Sequence, residues 1–522
     1  MRLRERWRWA RERQRSLAYS LGVLIVSSWT LLRFFTARST FDLVSQQVVV
    51  HQWLHGSVSS AHLGQTAYLP KMLLLYAPLD LLPGSPRLKL IVLTLLINIV
   101  TFVLLGLVVE QLLRAFRVRV GSAFYAALLW LSVLAGSVFW IEFANSRNLE
   151  VVGGVFWIYL GVCYLQKGGR KVAYALAAFG SLLFFSDPLQ FYMSALPVLA
   201  YALILGFARY VNMARVVKLF GLTLVCFGVS RLLLVGVAHS LHASFSDTGN
   251  VAAPTITPAW LMQSGQGTVK AVLGLFAGAA DAGKARELAN LSLLSLGVAT
   301  FVYTYVQRLI PRKLVVLLAC WVFVDTLVYI ASGQAAHGAA TNRYLIMLAP
   351  AALIGFCTVR LPRRWCRPVA ALFGLVIGLN LGTLGLTLQR HVNIHFPQDA
   401  QITSTYRYVR AHPTEHIYAS TDTAMPLLYM YNLPAQASLP VGCLDGKLVA
   451  THYSMDRAFQ RNREAPQAIA VIVLDGRQIT NSPNVCTLPS IVLQLGRPLR
   501  IDHTDNHSLA LLYPESAVHL GQ

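Results

Sequence analysis

Five charged side chains stand near the ends of long apolar segments, where a reaction at a membrane surface could use them. Asp42 follows the first apolar run, Arg147 and Glu150 lie in "EFANSRNLE", Asp187 lies in "FSDPLQFY" and Arg343 lies in "HGAATNRYLIMLAP". A carboxylate in such a place can act as a general base on a hydroxyl group or hold a cation. An Arg suits a departing phosphate, because its planar fork binds two oxygens and its charge balances the one that develops. These residue types predict group transfer from a lipid-linked phosphate donor.

The same residues also have simpler interpretations. Asp42 can cap the helix that follows it by accepting hydrogen bonds from backbone N–H groups. Asp187 precedes Pro188, a pair that is typical of a turn or a helix N-terminus. Arg147 and Arg343 can anchor helix ends at the membrane interface.

Further basic side chains are candidates for substrate binding. Lys71, in the segment after Asp42, is predicted to reach a lipid phosphate. His51, His55 and His337 are candidates for substrate contacts, and the alternative for each is a solvated or packed ring.

The composition predicts a polytopic membrane protein. Hydrophobic residues make up 55% of the 522 residues, charged residues 13%, and the mean hydropathy is +0.54. That is more apolar surface than one soluble core could bury. The net charge of +22 could indicate a nucleic-acid partner. The Lys and Arg residues, however, are spread over short loops between apolar spans, so we expect no nucleic-acid binding.

Apolar windows long enough to cross about 30 Å of hydrocarbon recur along the chain. We therefore expect an all-α bundle of about eleven transmembrane helices. Their predicted bounds in the printed sequence are 17–36, 89–113, 121–141, 150–166, 172–186, 189–208, 216–237, 288–307, 314–332, 344–359 and 368–388.

The basic residues orient this bundle. They fill the N-terminus and alternate loops, whereas the loops between them hold almost none. The positive-inside rule then predicts a cytoplasmic N-terminus, an extracytoplasmic C-terminal part and location in the cell (plasma or inner) membrane. The alternate basic loops contain Arg114, Arg117 and Arg119; Lys167, Arg170 and Lys171; Arg209, Arg215 and Lys218; Arg308, Arg312 and Lys313; and Arg360, Arg363, Arg364 and Arg367.

This orientation leaves three long segments outside. They are the first loop, 37–88, a second at 238–287 and the tail, 391–522. The apolar stretch "VKAVLGLFAGAA" in the second is too short to span, which favours an interfacial or re-entrant helix. We predict a membrane domain over 1–390 and an extracytoplasmic domain over 391–522.

The tail has the pattern of a small α/β domain. Its β-rich runs are "HIYAS", "AIAVIVL", "SIVLQL" and "LALLY", and its helix-like runs are "TAMPLLYMY" and "SMDRAFQRNR". Cys443 and Cys486 both lie in the tail, in what we expect to be an oxidising compartment. They could form a disulfide or remain two buried thiols.

Two charged residues fall inside predicted spans. Arg231 and Asp325 are placed at similar depth, and isolated charges there are costly. A mutual ion pair that stabilises the bundle is the preferred explanation. A proton or ion pathway is the alternative.

Four stretches resemble the GT-C superfamily of polyprenyl-phosphate-dependent membrane glycosyltransferases, which includes protein O-mannosyltransferases and bacterial aminoarabinose transferases. "FDLVSQQVVVHQWLHG" resembles the acid, helix and glycine that follow the first membrane helix in these enzymes, and "TAYLPKMLLLYAPLDLLPG" resembles the next stretch. "NRYLIMLAP" resembles the entry to a late helix, and "HIYASTDTAMPLLYMY" the start of some outer domains.

The resemblance implies an inverting glycosyltransferase with Asp42 as general base. The donor would be a sugar on a polyprenyl phosphate in the membrane lipid, the acceptor a glycan, lipid or protein outside, and the phosphate ligands Arg343 and Arg147. Many members carry an acidic pair where Asp42 stands alone. A second acid would then come from Glu150 or Asp187, and the need for a divalent cation is left open.

Two other classes of function compete with this hypothesis. A transporter or flippase of lipid-linked glycan would move its substrate without a covalent product, but repeated halves and broken helices are not evident. A non-catalytic cell-envelope scaffold would act through residues 391–522 alone.

Overall fold

The computed structural model describes residues 2–520 except for 37–46, 49, 52–53, 55–61, 64–68, 135–146, 241–243, 246–256, 278–283, 333–344, 359–362, 393–399, 412–415, 421–422, 425–426, 428–437, 451–468, 482–483, 505–507 and 519. The chain divides into two units. The first unit comprises Met1–Arg33, Thr94–Leu233 and Asn250–Val392. The second unit comprises Phe34–Leu93, Leu234–Gly249 and Asn393–Gln522.

Long helices account for most of the chain before residue 393. They are α1 (Arg2–Thr36), α2 (Pro86–Ala115), α3 (Ser122–Leu134), α4 (Asn148–Lys167), α5 (Arg170–Ser186), α6 (Leu196–Phe207), α7 (Met213–Ser240), α8 (Pro258–Ala277), α9 (Lys284–Val306), α10 (Arg312–Ala331), α11 (Leu348–Thr358) and α12 (Arg363–Val392).

Described helical residues fall within each of the spans predicted from the sequence, because runs of apolar residues satisfy their backbone polar groups only within a helix in lipid. How many cross the membrane, and which face is outside, remain predictions. Six helical segments among the described residues are long and apolar enough to cross, and four are shorter. The six are Glu12–Leu32, Pro86–Ala115, Asn148–Lys167, Met213–Val237, Arg286–Val306 and Arg312–Ala331. The shorter ones are Ser122–Leu134, Phe191–Phe207, Leu348–Thr358 and Arg367–Thr383.

The first unit has a continuous apolar core. Trp130, Trp157 and Trp321 are almost completely buried in it. The stretch expected to be interfacial belongs to α8, which begins at Pro258 and is longer than predicted. The Thr257 hydroxyl accepts a hydrogen bond from the Trp260 amide at 3.1 Å, which satisfies a free N–H of the first turn.

In the second unit, residues after 400 form the predicted α/β architecture. The helices are α13 (Ala400–Ala411) and α14 (Leu488–Leu495). The strands are β3 (His416–Ser420), β4 (Ser438–Leu444), β5 (Lys447–Ala450), β6 (Ile469–Leu474), β7 (Gln478–Asn481), β8 (Asn484–Thr487), β9 (Arg500–His503) and β10 (Leu509–Pro514). Six of them form one sheet in the order β5-β4-β3-β6-β10-β9, and β7 and β8 form a separate hairpin. Earlier in the chain, β1 (His62–Leu63) pairs in parallel with β2 (Ser244–Phe245).

Strands β4, β3 and β6 are parallel, and the remaining pairs of the six-stranded sheet are antiparallel. "HIYAS" matches β3, "AIAVIVL" contains β6 and "LALLY" lies in β10, as predicted. The prediction for "SIVLQL" is wrong, because this run lies in α14. The Ser490 hydroxyl accepts a hydrogen bond from the Thr487 amide at 2.9 Å, which caps the helix start. Leu488, Ile491 and Leu495 then pack on the sheet at helical spacing.

Cys443 and Cys486 form a disulfide whose Cα atoms are 5.4 Å apart. The bond joins β4 to β8, so it ties the β7–β8 hairpin to the sheet. Of the two alternatives that the sequence left open, the disulfide is the one observed.

Candidate functional site

Helices α4 and α5 form an antiparallel hairpin that brings two predicted site residues to one end. At the closed end, Gly168 and Gly169 have φ values of 68° and 105°, which favour glycine and allow a two-residue turn. At the open end, Arg147 precedes α4 and Asp187 follows α5. Residues 40 positions apart in sequence therefore lie side by side.

Arg147 and Asp187 form a buried charge pair. Nε of Arg147 lies 3.9 Å from Oδ2 of Asp187, and the exposed fractions of the two residues are 8% and 0%. This distance is too long for a hydrogen bond. The Asp187 carboxylate therefore compensates the charge of the guanidinium, but this contact does not orient the guanidinium plane.

Asp187 also organises the chain that follows it. Its Oδ1 accepts a hydrogen bond from the Leu189 amide at 3.1 Å, and its Oδ2 accepts one from the Gln190 side-chain amide at 3.4 Å. The turn-capping role considered for Asp187 is thus present, together with its position beside Arg147.

Glu150 lies in the first turn of α4 and is 3% exposed. Its Oε1 accepts a hydrogen bond from the Ser186 hydroxyl at 2.9 Å. Both acids that the sequence offered as a partner for Asp42 are therefore engaged by neighbouring side chains. Within the described ranges, no three His, Cys, Asp or Glu side chains form a group that could hold a metal ion.

A π-helical segment, Phe191–Ala195, connects this cluster to α6. Ser194 donates a hydrogen bond to Oε1 of Gln190 at 2.9 Å. Gly154 of α4 packs directly on this pair, since a Cβ atom at Gly154 would lie 2.3 Å from the Ser194 oxygen and 2.4 Å from the Gln190 oxygen. π-Helical turns are rare and are often found at functional sites.

Sequence reasoning missed a polar ladder that joins three helices. Asn98 of α2 donates to the Thr30 hydroxyl of α1 at 3.0 Å and accepts from the Asn148 side chain of α4 at 2.9 Å. All three side chains are buried. The available signal was an Asn inside an apolar span, since polar groups in lipid need internal partners. The ladder holds Asn148, the first residue of α4, which directly follows Arg147.

Glu110 of α2, which is 0% exposed, was also missed. Its Oε2 lies 3.2 Å from both Arg15 and Arg114, and its Oε1 accepts a hydrogen bond from the Tyr19 hydroxyl at 3.1 Å. This carboxylate joins α1 to α2, and both of its oxygens are engaged by neighbouring side chains.

In the second unit, Lys71 is 5% exposed and directly precedes a π-helical turn, Met72–Tyr76. Asp80 of the same unit lies 2.9 Å from Nδ1 of His51, and Lys89 donates to the Asp80 carbonyl at 2.5 Å. His51 is thus a packed ring paired with an acid. The contact of Lys71 with a lipid phosphate stays a prediction.

Four other predicted residues, Asp42, His55, His337 and Arg343, lie outside the described residues. Their roles as general base, substrate contacts and phosphate ligand stay predictions.

The predicted ion pair between Arg231 and Asp325 is wrong. Both carboxylate oxygens of Asp325 are buried and form no ion pair in the part of the chain that the structure describes, and the Trp321 indole, one helical turn earlier, is their polar neighbour. The Arg231 guanidinium instead lies 4.8 Å from the centre of the Phe227 ring. Arg231 is one helical turn from Phe227 on α7, so a local cation–π contact replaces the ion pair.

Among the described residues, those before 393 are mostly apolar helices and those from 400 onward form an α/β region. This fold is shared with the crystal structure of ArnT from Cupriavidus metallidurans bound to undecaprenyl phosphate. The likeness has a TM-score of 0.57 at 11% sequence identity and covers 95% of this chain and 97% of ArnT. No family model and no curated protein matches the chain.

Proposed function

We propose that this protein is a membrane glycosyltransferase that moves a sugar from a polyprenyl-phosphate donor to an extracytoplasmic acceptor. The observation that carries the proposal is the buried Arg147–Asp187 pair at the open end of α4 and α5. It occurs in a fold shared with ArnT, whose crystal structure holds undecaprenyl phosphate.

Arg147 is suited to the leaving phosphate. It is 8% exposed, so its charge acts where water screens it little. In such a site a preorganised cation stabilises the charge that develops on the phosphate as the sugar–oxygen bond breaks. Asp187 holds the cation in place before the donor arrives, and Arg343 adds a second fork to the phosphate.

Asp42 is the proposed general base. It takes the proton from the acceptor hydroxyl while that oxygen bonds to the anomeric carbon. The bond from the anomeric carbon to the phosphate oxygen breaks, the phosphate leaves with the electron pair, and the sugar is transferred with inversion. In this scheme Glu150 and Asp187 act through their contacts with Ser186, Arg147 and Gln190, and the need for a divalent cation is left open.

Supporting roles follow from chemistry. Lys71 pairs with a lipid phosphate, His337 contacts substrate, and Glu150 orients the first turn of α4 through Ser186. The protein lies in the plasma or inner membrane with its N-terminus in the cytoplasm, and residues 391–522 form an extracytoplasmic domain. Its partners are the lipid-linked donor, the surrounding membrane lipid and an acceptor glycan, lipid or protein.

A transfer assay tests the proposal. Purified full-length protein is incubated with a panel of polyprenyl-phosphate sugars, and release of polyprenyl phosphate is measured. We expect release by the natural protein and loss of at least a hundredfold in Asp42→Asn. Asp445→Asn, at an exposed hairpin turn, is the matched control and should keep full activity. Full activity in Asp42→Asn removes Asp42 as the base, and no release from any donor contradicts the function.

A further inference from the structure

The carboxyl ends of β3 and β6 lie side by side in the sheet of the second unit. The two strands are parallel neighbours, with Ile417 opposite Val471. The chain leaves them toward opposite faces of the sheet. Ala424, which follows β3, packs with Ala419 and Val473 on one face. The segment after β6 packs on the other face through Ile479, Cys486 and Ile491, against Tyr418, Ile472 and Leu474.

This divergence is the condition under which open α/β sheets bind ligands. Where the chain leaves two adjacent parallel strands toward opposite faces, no segment covers their carboxyl ends and a crevice is left. We call the positions there, Ser420, Thr423 and Asp475, the carboxyl-edge cluster. Ser420 is the last residue of β3, and Asp475 is the first residue after β6.

The three side chains of the carboxyl-edge cluster meet at one carboxylate. The Ser420 hydroxyl donates to Oδ2 of Asp475 at 2.5 Å, and the Thr423 hydroxyl donates to the same oxygen. Thr423 is buried, whereas Ser420 and Asp475 are partly exposed. The Asp475 carboxylate is therefore partly accessible to solvent, and the buried Thr423 hydroxyl donates a hydrogen bond to it.

The chemistry of the cluster selects a ligand rich in hydroxyl groups. A carboxylate accepts strong hydrogen bonds from hydroxyls, and Ser and Thr hydroxyls can each donate and accept. An anionic group such as a phosphate would instead meet the Asp475 charge. A hydroxyl-rich neutral ligand can replace the hydrogen bonds now made within the cluster, whereas an apolar ligand would leave the carboxylate unpaired.

We propose that the carboxyl-edge cluster binds a neutral saccharide and that this saccharide is the acceptor glycan. The second half of this statement rests on the proposed glycosyltransferase function. The first half, saccharide binding at Ser420, Thr423 and Asp475, does not depend on transfer.

A binding experiment tests the first half. Full-length protein in detergent is applied to immobilised neutral hexose and N-acetylhexosamine oligosaccharides, with sialylated and phosphorylated oligosaccharides alongside. We expect retention on neutral saccharides, and a loss of at least tenfold in Asp475→Asn and in Ser420→Ala. Asn at 475 still accepts hydrogen bonds from both hydroxyls, so the sheet should remain folded.

Asp502→Asn is the matched control. Asp502 accepts a hydrogen bond from the Tyr408 hydroxyl at 2.5 Å on the edge strand β9, away from the carboxyl-edge cluster. Burial and this carboxylate raise the pKa of Tyr408, so the pair is a comparable carboxylate–hydroxyl contact. Binding by Asp502→Asn should equal that of the natural protein.

Three results overturn the proposal: no retained saccharide, retention of acidic saccharides alone, or equal binding by Asp475→Asn. The transfer assay separates the two hypotheses. Saccharide binding without release of polyprenyl phosphate from any donor defeats the proposed function and leaves the binding site intact. If polyprenyl phosphate is released equally by the natural protein, Asp42→Asn and Asp475→Asn, and no saccharide is bound, saccharide binding at the carboxyl-edge cluster is excluded.

Discussion

Nε of Arg147 lies 3.9 Å from Oδ2 of Asp187, and both residues are at least nine-tenths buried. At this separation the two charges attract each other strongly, yet the geometry falls short of the paired hydrogen bonds of an Arg–carboxylate fork. A phosphate can supply such paired contacts, so the planar shape of the Arg147 guanidinium should matter for transfer.

Arg147→Lys should reduce transfer by about 10- to 100-fold, because Lys keeps the charge and loses the planar fork. Arg147→Ala should reduce it further. The rate of polyprenyl-phosphate release measures both. Arg170→Lys, an exposed position at the other end of the same hairpin, is the control and should leave the rate unchanged. Equal rates for Arg147→Lys and the natural protein would exclude a phosphate contact through the fork.

Gly154→Ala should disrupt the contact between α4 and the π-helical segment. The added methyl would overlap the Ser194 and Gln190 oxygens, so both side chains must move and their mutual hydrogen bond breaks. We expect a loss of about 1–3 kcal/mol of stability, typical of overpacking, together with slower transfer. Thermal unfolding in detergent measures the first effect. Gly228→Ala on α7, where a Cβ meets nothing within 4 Å, should change stability by less than about 1 kcal/mol. Equal melting temperatures for the two variants would refute the tight packing.

Asp325→Leu should leave stability unchanged or raise it by about 1–3 kcal/mol, because the buried carboxyl has no cationic partner among the described residues and its burial is costly. Arg231→Met should change the melting temperature by the same amount in the natural protein and in the Asp325→Leu variant, as expected for two independent sites. A loss of about 3–5 kcal/mol in Asp325→Leu, typical of a broken buried pair, would instead support an ion pair.

Reduction of the Cys443–Cys486 disulfide should destabilise the tail. The bond closes a loop between positions separated by 43 residues, and loops of this size typically contribute about 2–4 kcal/mol. Thermal unfolding with and without a reductant measures the change. The double variant Cys443→Ala, Cys486→Ala should melt at the lower temperature and show no further response to reductant. A response in that variant would locate the sensitive bond elsewhere.

The tail shows where sequence patterns succeed and fail. "HIYAS" and "LALLY" are strands because they are short apolar runs rich in strand-forming residues between polar turns. "SIVLQL" has a similar composition, yet the Thr487–Ser490 cap and apolar contacts at helical spacing make it a helix. For a short apolar run, the surface available for packing decides between helix and strand.

The site shows the same division. Arg147, Glu150 and Asp187 could be chosen from the sequence, because the short loops opposite the basic ones hold few charged residues. Gln190, Ser194 and Asn98 could not, since their importance comes from partners on other helices. The predicted ion pair between Arg231 and Asp325 was wrong, because similar depth in two spans does not establish that the two helices pack with these side chains facing each other.

The sequence by itself determined that the chain forms apolar helices followed by a small α/β region, because helix formation in lipid depends on the length and composition of each local run. Only the tertiary structure decided that Arg147 meets Asp187, that Asn98 joins three helices, and that Ser420 meets Asp475. Those contacts depend on the angles and registers at which helices and strands pack, and these arise from long-range fit between side chains rather than from any single segment.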